Sequence, residues 1–276
     1  MGTHRSLHNH SRLARGVETG AVAAALFLGA PALALATSGL ANASCASNGT
    51  HTVSLGSGGD TCTVQGTGTA VSIGSGNTVS TVGTNNHAMA IGTGNTVSAG
   101  QVNTDANNNS TVVGNNSQAT TGMGNGNRAT VYGNNSSAGA ANGNFNTATV
   151  GTPFTPSNNN AVAAGQGDRN SVTVVGNGNV AAAGLGNGNR VVVTGNNNTA
   201  AAGNGNNNRT TVAGSDNTAA SGANLSTAAN NNNNSVSVIG NRNKAFAGAP
   251  NLTTVTNGAS NNHLSVIGNG KTVTKP

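Results

Sequence analysis

The sequence has little of what an ordinary globular core is made from. Of its 276 residues none is Trp, aromatic residues make up 2% and charged residues 6%, whereas an average domain is about a quarter charged. A thick core of large side chains is therefore excluded. Two states remain: a disordered low-complexity chain, or a stack of thin layers in which small side chains suffice.

Charge is scarce and scattered. The chain has 11 basic and 5 acidic residues, and Arg5, Arg12, Arg15 and Glu18 fall in a leader-like N-terminus. The remaining basic residues stand singly along the sequence, without the clustered basic face and aromatic residues that nucleic-acid binding needs. The sequence predicts no nucleic-acid partner, and the high isoelectric point follows from the shortage of acids.

The sequence has no pattern that is typical of a catalytic or metal site. Beyond the leader, the acids stand far apart in the chain, and so do the histidines. Carbohydrate-cleaving β-helices need several acids on one face, and a metal site needs clustered ligands. We predict no enzyme activity, no catalytic residues, no metal and no cofactor. The residues concerned are Asp60, Asp105, Asp168, Asp216, His51, His87 and His263.

The N-terminus resembles an export signal. A basic stretch is followed by the apolar run Ala21–Ala36, which Gly29 and Pro31 interrupt, and then by the small-x-small site Ala41-Asn42-Ala43. We predict a signal peptide over residues 1–43, no membrane span in the mature chain, and a secreted or cell-surface location. In an exported chain the two cysteines, Cys45 and Cys62, are expected to form a disulfide.

A short unit keeps returning in the rest of the chain. SVTVVGNGNVAAAGLGNGN is followed by RVVVTGNNNTAAAGNGNNN and RTTVAGSDNTAASG, and the turn glycines Gly176, Gly195 and Gly214 are 19 residues apart. A fixed period of this size is typical of stacked repeats. Each unit holds a Val-rich and an Ala-rich strand joined by Gly/Asn turns, and Gly and Asn tolerate the positive φ that tight turns require.

These landmark glycines predict an all-β, single-chain parallel β-solenoid of about eleven rungs, which would be roughly 50 Å long at the usual strand spacing. Residues 44–66 are expected to form its disulfide-closed start, 67–270 the repeat, and 271–276 a C-terminal tail with Lys271, Lys275 and Pro276. TPFTPS is one of three expected turn insertions. The landmark glycines are Gly56, Gly74, Gly92, Gly114, Gly133, Gly151, Gly176, Gly195, Gly214, Gly240 and Gly268.

Alignment on these glycines produces columns. Two positions before the glycine we predict a core column, Val174, Val193, Val212, Val238 and Val266. Asn170, Asn189 and Asn208 occur at one turn and Asn179, Asn198 and Asn217 at the other. Because amides stacked at about 4.8 Å can bond from rung to rung, we predict structural Asn ladders.

Two further columns allow more than one interpretation. The position before the glycine is apolar in many rungs, from Ile73 and Ile91 to Val150 and Ile267, which is explained equally by β-propensity and by a second contact surface. The position three before the glycine is the column in which an ice-binding solenoid would carry a regular row of Thr, and here it is mixed. It contains Val71, Met89, Thr111, Thr130, Ala148, Thr173, Val192, Thr211, Ser237 and Ser265.

The unit resembles two families. Ser171–Ala181, in which alternating apolar residues lead into Gly-x-x-Asn-x-Ala, is similar to the curlin repeat of bacterial amyloid fibre subunits, and the likeness covers most of residues 50–270. AVSIG (70–74) and AMAIG (88–92) resemble the head repeats of trimeric adhesins. The leader, the Cys pair and the Gly/Asn-rich repeats are also similar to secreted actinobacterial proteins.

These features predict a secreted or cell-surface structural or adhesive solenoid without catalysis. Its expected partner is itself, end to end or side by side, or a cell-surface component, because open rod ends leave unpaired backbone groups. The alternatives are an ice-binding or other surface-binding solenoid, which the mixed Thr column does not favour, and a disordered low-complexity coat protein.

Overall fold

A computed structural model describes residues 43–48, 52–56, 58–140, 142–222, 232–247, 263–268 and 271–275. All of them belong to the compact unit Ala41–Pro276. The predicted signal peptide lies outside the described residues except for Ala43, and so do His51 and Pro276.

The described residues form β-strands and turns, without a helix. The strands are β1 (Ala43–Ser47), β2 (Thr52–Gly56), β3 (Thr61–Ser75), β4 (Thr78–Thr93), β5 (Thr96–Ala99), β6 (Asn109–Val113), β7 (Gln118–Thr121), β8 (Arg128–Tyr132), β9 (Ser137–Ala140), β10 (Thr147–Val150), β11 (Ala161–Ala164), β12 (Ser171–Val175), β13 (Val180–Ala183), β14 (Arg190–Thr194), β15 (Thr199–Ala202), β16 (Arg209–Ala213), β17 (Thr218–Ser221), β18 (Ser235–Ile239), β19 (Lys244–Ala247), β20 (His263–Ile267) and β21 (Thr272–Lys275).

From β4 onward each strand pairs in parallel with the strand two places along the chain, so that two stacks build a parallel β-solenoid. The Ala stack consists of the odd strands β5 to β21. The Val stack consists of the even strands β6 to β20. The long strands β3 and β4 run through both stacks. The predicted parallel β-solenoid is therefore confirmed.

The solenoid has about eight turns, from β5–β6 to β19–β20, each with two separate strands. The predicted number of eleven rungs is not confirmed. The first landmark glycine was wrongly placed, because Gly56 lies in β2, which pairs antiparallel with β1. Strand β1 in turn pairs antiparallel with Ala70–Gly74 of β3. The Val-stack edge of β3 is thus covered by a hairpin and not by another parallel rung.

The interior is a narrow layer of Val and Ala. In each strand alternate side chains point inward, so β12 buries Val172 and Val174 while Thr173 faces outward. The predicted column Val174, Val193, Val212, Val238 and Val266 is buried between the stacks. Opposite it, the Ala stack contributes a single methyl group at most positions, for example Ala181 and Ala183. Because both stacks keep small side chains inside, two sheets can approach closely without large residues.

The disulfide between Cys45 and Cys62 is confirmed, with a Cα–Cα distance of 5.8 Å. Cys45 lies in β1, which pairs with the Val-stack half of β3, whereas Cys62 lies in the Ala-stack half of β3. The bond therefore ties the covering hairpin to the first long strand. In the chain-entropy model, closing a loop of this length stabilises the fold by about 3 kcal/mol.

Candidate interaction surfaces

Two turns per unit share one four-residue design. The turn from the Val stack to the Ala stack is Gly176-Asn177-Gly178-Asn179, and the turn back is Gly186-Asn187-Gly188-Asn189. The third residue has positive φ in both, 67° at Gly178 and 68° at Gly188. Where the third residue is not Gly it is mostly Asn, as at Asn197 with φ 54°. Gly and Asn adopt this conformation at little cost, which explains the composition of the turns.

The fourth residue of each turn forms an inner asparagine ladder. The backbone N–H of Asn189 donates to Oδ1 of Asn170 at 2.9 Å, and its Nδ2 donates to the carbonyl oxygen of Gly205 at 2.7 Å. Its Oδ1 accepts the N–H of Asn208 at 3.0 Å. Each amide therefore satisfies backbone groups of the adjacent rungs as well as lying above its neighbour.

The other turn has the same arrangement. Asn179 donates its N–H to Asn160 Oδ1 at 2.8 Å and its Nδ2 to the Gly195 carbonyl at 2.8 Å, and it accepts the N–H of Asn198 at 2.9 Å. Asn217 continues this ladder by donating its N–H to Asn198 Oδ1 at 3.0 Å. The six asparagines predicted to form ladders are thus brought together in two rows, all of them buried.

A second, outer pair of ladders was missed by the sequence argument. The second residue of each turn accepts a backbone N–H from the preceding rung: Asn177 Oδ1 accepts from Asn158 at 2.8 Å, and Asn187 Oδ1 accepts from Asp168 at 2.7 Å. The inner ladder accepts from the following rung, so the two run in opposite directions. The first Asn of GNGN carried this signal, because it repeats as regularly as the second.

Two polar residues replace Asn in the inner ladders, and one Asn was overlooked. Ser117 and Ser136 donate their hydroxyl groups to the carbonyls of Gly133 and Ser157 at 2.9 and 3.1 Å. Asn146 donates its N–H to Asn127 Oδ1 at 2.9 Å. It was missed because the alignment on Gly151 is wrong by one residue.

Ser157, not Gly151, occupies the landmark position of its rung. The N–H of Ser157 donates to the Tyr132 carbonyl at 2.8 Å, and a Cβ on Gly133 would lie 1.9 Å from the Ser157 carbonyl oxygen. Val150 consequently pairs with Val174 and is buried, instead of facing outward. The inserted residues 152–156 lie between Gly151 and Ser157, outside the regular rung. They include Phe154, which is 94% exposed.

The outer face of the Val stack has three columns, which the strand pairing keeps in register. The column next to the landmark position is mostly apolar, from Ile73 and Ile91 to the exposed Ile239 and Ile267, but it holds Thr194 in β14. At the first rungs the interior holds Ser72 and Ala90 instead of Val. The register does not change, and Ser72 is accommodated inside because its hydroxyl donates to Asp60 at 2.8 Å.

The middle column of this face contains more threonine than the sequence alignment indicated. Ala148 is an interior residue, and Thr149 pairs with Thr130 on one side and Thr173 on the other. Of the six Val-stack strands from β6 to β16, five therefore carry Thr in this column, and β14 carries Val192. The threonines are Thr111, Thr130, Thr149, Thr173 and Thr211.

The described acids have structural positions. Asp60 accepts the N–H of Asn77 at 2.8 Å and so begins one inner ladder. Asp105 is buried and its carboxylate accepts three backbone N–H groups, from Gln101, Val102 and Gly124, at 2.6 to 2.9 Å. Asp168 takes an Asn position in an outer ladder. Because the rungs keep them apart, they share no site.

Among the described residues no group of three or more His, Cys, Asp or Glu could hold a metal ion. The same part of the chain contains no helix long and apolar enough to cross a membrane. No protein-family model, curated protein or solved structure matches the chain. The regular surfaces of the described residues are the outer faces of the two stacks, where strand pairing holds residues in columns.

Proposed function

We propose that this chain is a secreted or cell-surface structural solenoid that adheres to other copies of itself or to a cell-surface component, without catalysis. The observation that carries the proposal is the end formed by β20 and β21. Each pairs with one neighbour, β18 or β19, and no described strand pairs with its other edge. An unpaired edge is a ready template for another chain.

The two ends of the rod differ, and we propose that the end formed by β20 and β21 is the one that associates. At the start of the rod the hairpin β1–β2 covers the Val-stack edge of β3, and the disulfide holds that hairpin in place. At the other end the edges carry Ser265 and Thr272, uncharged and exposed. Lys275 lies in β21, paired with Ala247, and a charged residue on an edge strand opposes further pairing. We propose that it slows end-to-end growth without preventing it.

A matched pair of lysine substitutions tests this proposal. Ser265 lies on the edge strand β20, and Ser237 is its partner one rung inside, on β18. Charged residues on an edge strand oppose pairing with a further strand. We expect Ser265→Lys to weaken self-association about tenfold by sedimentation velocity, corresponding to about 1.4 kcal/mol, and Ser237→Lys to have little effect.

The shape of the assemblies provides a second readout. Electron microscopy of the full chain should show linear assemblies, with a stable β spectrum by circular dichroism. Thioflavin T binding that develops together with a coil-to-β conversion would instead support curlin-like assembly from an unfolded chain. A chain that stays monomeric at all concentrations and adheres to no cell surface would contradict the proposed function.

Ice binding is the second candidate, favoured by the Thr column Thr111–Thr211 on the outer face of the Val stack. Thr130 is only 2% exposed and Val192 interrupts the row, which places this function second. Thermal hysteresis measures it directly: Thr149→Lys should abolish the effect, whereas Thr199→Lys, on the other stack, should not. Absence of thermal hysteresis in the unmodified chain would rule this candidate out.

A further inference from the structure

Basic residues that stand far apart in the sequence meet in one column of the folded chain. On the outer face of the Val stack, Arg128 pairs with Thr147, Thr147 with Ser171, and Ser171 with Arg190. Arg190 in turn pairs with Arg209 on the next rung. We call this outward column, from His87 to Ser235, the arginine column; its members are His87, Asn109, Arg128, Thr147, Ser171, Arg190, Arg209 and Ser235.

The charge of this column is not neutralised by the fold. Arg128, Arg190 and Arg209 are exposed, and among the described residues none of them forms an ion pair. Along the chain, the acid nearest to a member of the column is Asp168, which lies in the turn before β12, three residues before Ser171. Its Oδ1 accepts two hydrogen bonds from Asn144. The exposed Arg169 follows it directly.

The other described acids lie elsewhere. Asp105 is buried, Asp60 precedes β3 and begins an inner ladder, and Asp216 lies in a turn between the Val and Ala stacks. None of them occupies an outward column of the Val stack. The face therefore has one sign of charge along one side, a Thr column in the middle and a mostly apolar column, interrupted by Thr194, on the other side.

We propose that this face binds a linear polysaccharide that carries carboxylate groups, laid along the rod axis. This inference rests on the proposed adhesive function and names its cell-surface partner by chemistry. Arginine binds carboxylates through two parallel hydrogen bonds. The hydroxyl groups of the Thr column can donate to and accept from sugar hydroxyls, and the columns run from rung to rung along the rod, as an extended chain would.

The spacing of the charges favours such a polymer over a nucleic acid. From Arg128 in β8 to Arg209 in β16 there are four rung steps, roughly 19 Å at the usual strand spacing, with three arginines in the column. Duplex DNA carries one charge about every 1.7 Å, a much higher density. Single strands are held by rows of aromatic residues, and Tyr132 is the one Phe, Tyr or Trp in the outward columns of the described Val-stack strands.

The test compares two double variants of the full chain. Arg190→Gln/Arg209→Gln removes two adjacent charges from the arginine column. Arg242→Gln/Lys244→Gln removes two exposed charges from a turn and from the outer face of the Ala stack. Each double variant loses two positive charges, so the two variants have the same net charge. A difference in their affinity therefore depends on where the charges lie on the surface. The probes, immobilised for biolayer interferometry, are polygalacturonate, neutral dextran, a single-stranded oligonucleotide and a DNA duplex.

We expect binding to polygalacturonate that weakens with salt, no binding to dextran, and about tenfold weaker binding after Arg190→Gln/Arg209→Gln. The control variant should bind within about twofold of the unmodified chain. Equal affinity of the two variants, equal binding to dextran, or tighter binding to either nucleic acid would overturn the inference.

Sedimentation velocity on the same samples separates this inference from the proposed function. Arg190→Gln/Arg209→Gln should leave end-to-end association unchanged, because the two residues lie three and two rung steps inside the edge strand β20. Self-association without polygalacturonate binding would overturn the polysaccharide inference and leave the structural function standing. If the unmodified chain neither self-associates nor binds polygalacturonate, both the proposed function and the polysaccharide inference would be contradicted.

Discussion

Removal of one inner-ladder amide should cost far more than removal of an outer one. Asn189 is fully buried; its side chain donates to the Gly205 carbonyl and accepts the N–H of Asn208. Asn189→Ala removes both bonds and leaves the N–H of Asn208 without its acceptor. The backbone bond from residue 189 to Asn170 is kept, because the N–H remains.

The expected magnitude follows from these contacts. Two lost hydrogen bonds contribute about 1 kcal/mol each, and an unsatisfied buried N–H adds about 1–3 kcal/mol, so the unfolding free energy should fall by about 3–5 kcal/mol. Asn187→Ala is the matched control, because its outer-ladder Oδ1 accepts one N–H, from Asp168, at an exposed position. Water can replace that acceptor, and the expected loss is below about 1 kcal/mol.

Urea unfolding followed by far-UV circular dichroism measures the two variants. Because stacked repeats can open in parts, peptide-level hydrogen exchange across residues 187–210 should accompany it, with faster exchange in Asn189→Ala. Asn179→Ala and Asn177→Ala form an independent pair in the other turn. Equal losses within either pair, or a loss below about 0.5 kcal/mol for Asn189→Ala, would refute the ladder argument.

Three further substitutions test other features. Gly176→Ala should prevent folding or cost more than about 3 kcal/mol, because its φ is 124° and a Cβ would lie 1.8 Å from the next landmark carbonyl oxygen; Gly139→Ala, where a Cβ meets nothing within 4 Å, is the control in the same thermal-melting assay. Reduction of Cys45–Cys62, or its replacement by two serines, should lower stability by about 3 kcal/mol, and unchanged urea midpoints would contradict this. Asp105→Asn should cost about 1–3 kcal/mol, since an amide nitrogen would face a backbone N–H, and a neutral result would show that its three hydrogen bonds are not needed.

Much of the fold could be predicted because each level of the sequence indicates the same structure. The 19-residue period, the Gly/Asn turns and the alternating Val residues all indicate parallel rungs, and the columns through Val174 and Asn170 lie where that pattern places them. When local propensity, turn chemistry and hydrophobic pattern agree in this way, the fold can be predicted from the sequence.

The errors arose where the register was hidden. At Gly151 an insertion begins, and the alternation of TATV fits two alignments that differ by one residue; a shift of one reverses inside and outside. Gly56 has the local sequence of a rung, but its antiparallel pairing depends on contacts with β1 that a repeat pattern does not encode.

The arginine column could not be seen from spacing alone. Arg128 and Arg190 are 62 residues apart and share a column because the inserted residues leave the strands in register. Along the sequence these charges are scattered, and the spacing predicts no basic patch. Stacking converts distance along the chain into distance along the rod, and only the strand pairing supplies that conversion.

The distance between spin labels in the outward column is the most direct test of the stacked architecture. Asn109 and Ser235 lie six rung steps apart, and Thr147 and Ser235 four, which predicts Cα separations of about 29 and 19 Å. Labels on Asn109→Cys/Ser235→Cys and Thr147→Cys/Ser235→Cys, with the native cysteines paired, can be measured by double electron–electron resonance. Stacked rungs should produce two narrow distributions that differ by about 10 Å. Broad distributions centred beyond about 50 Å, as expected for a flexible chain of this length, would contradict it.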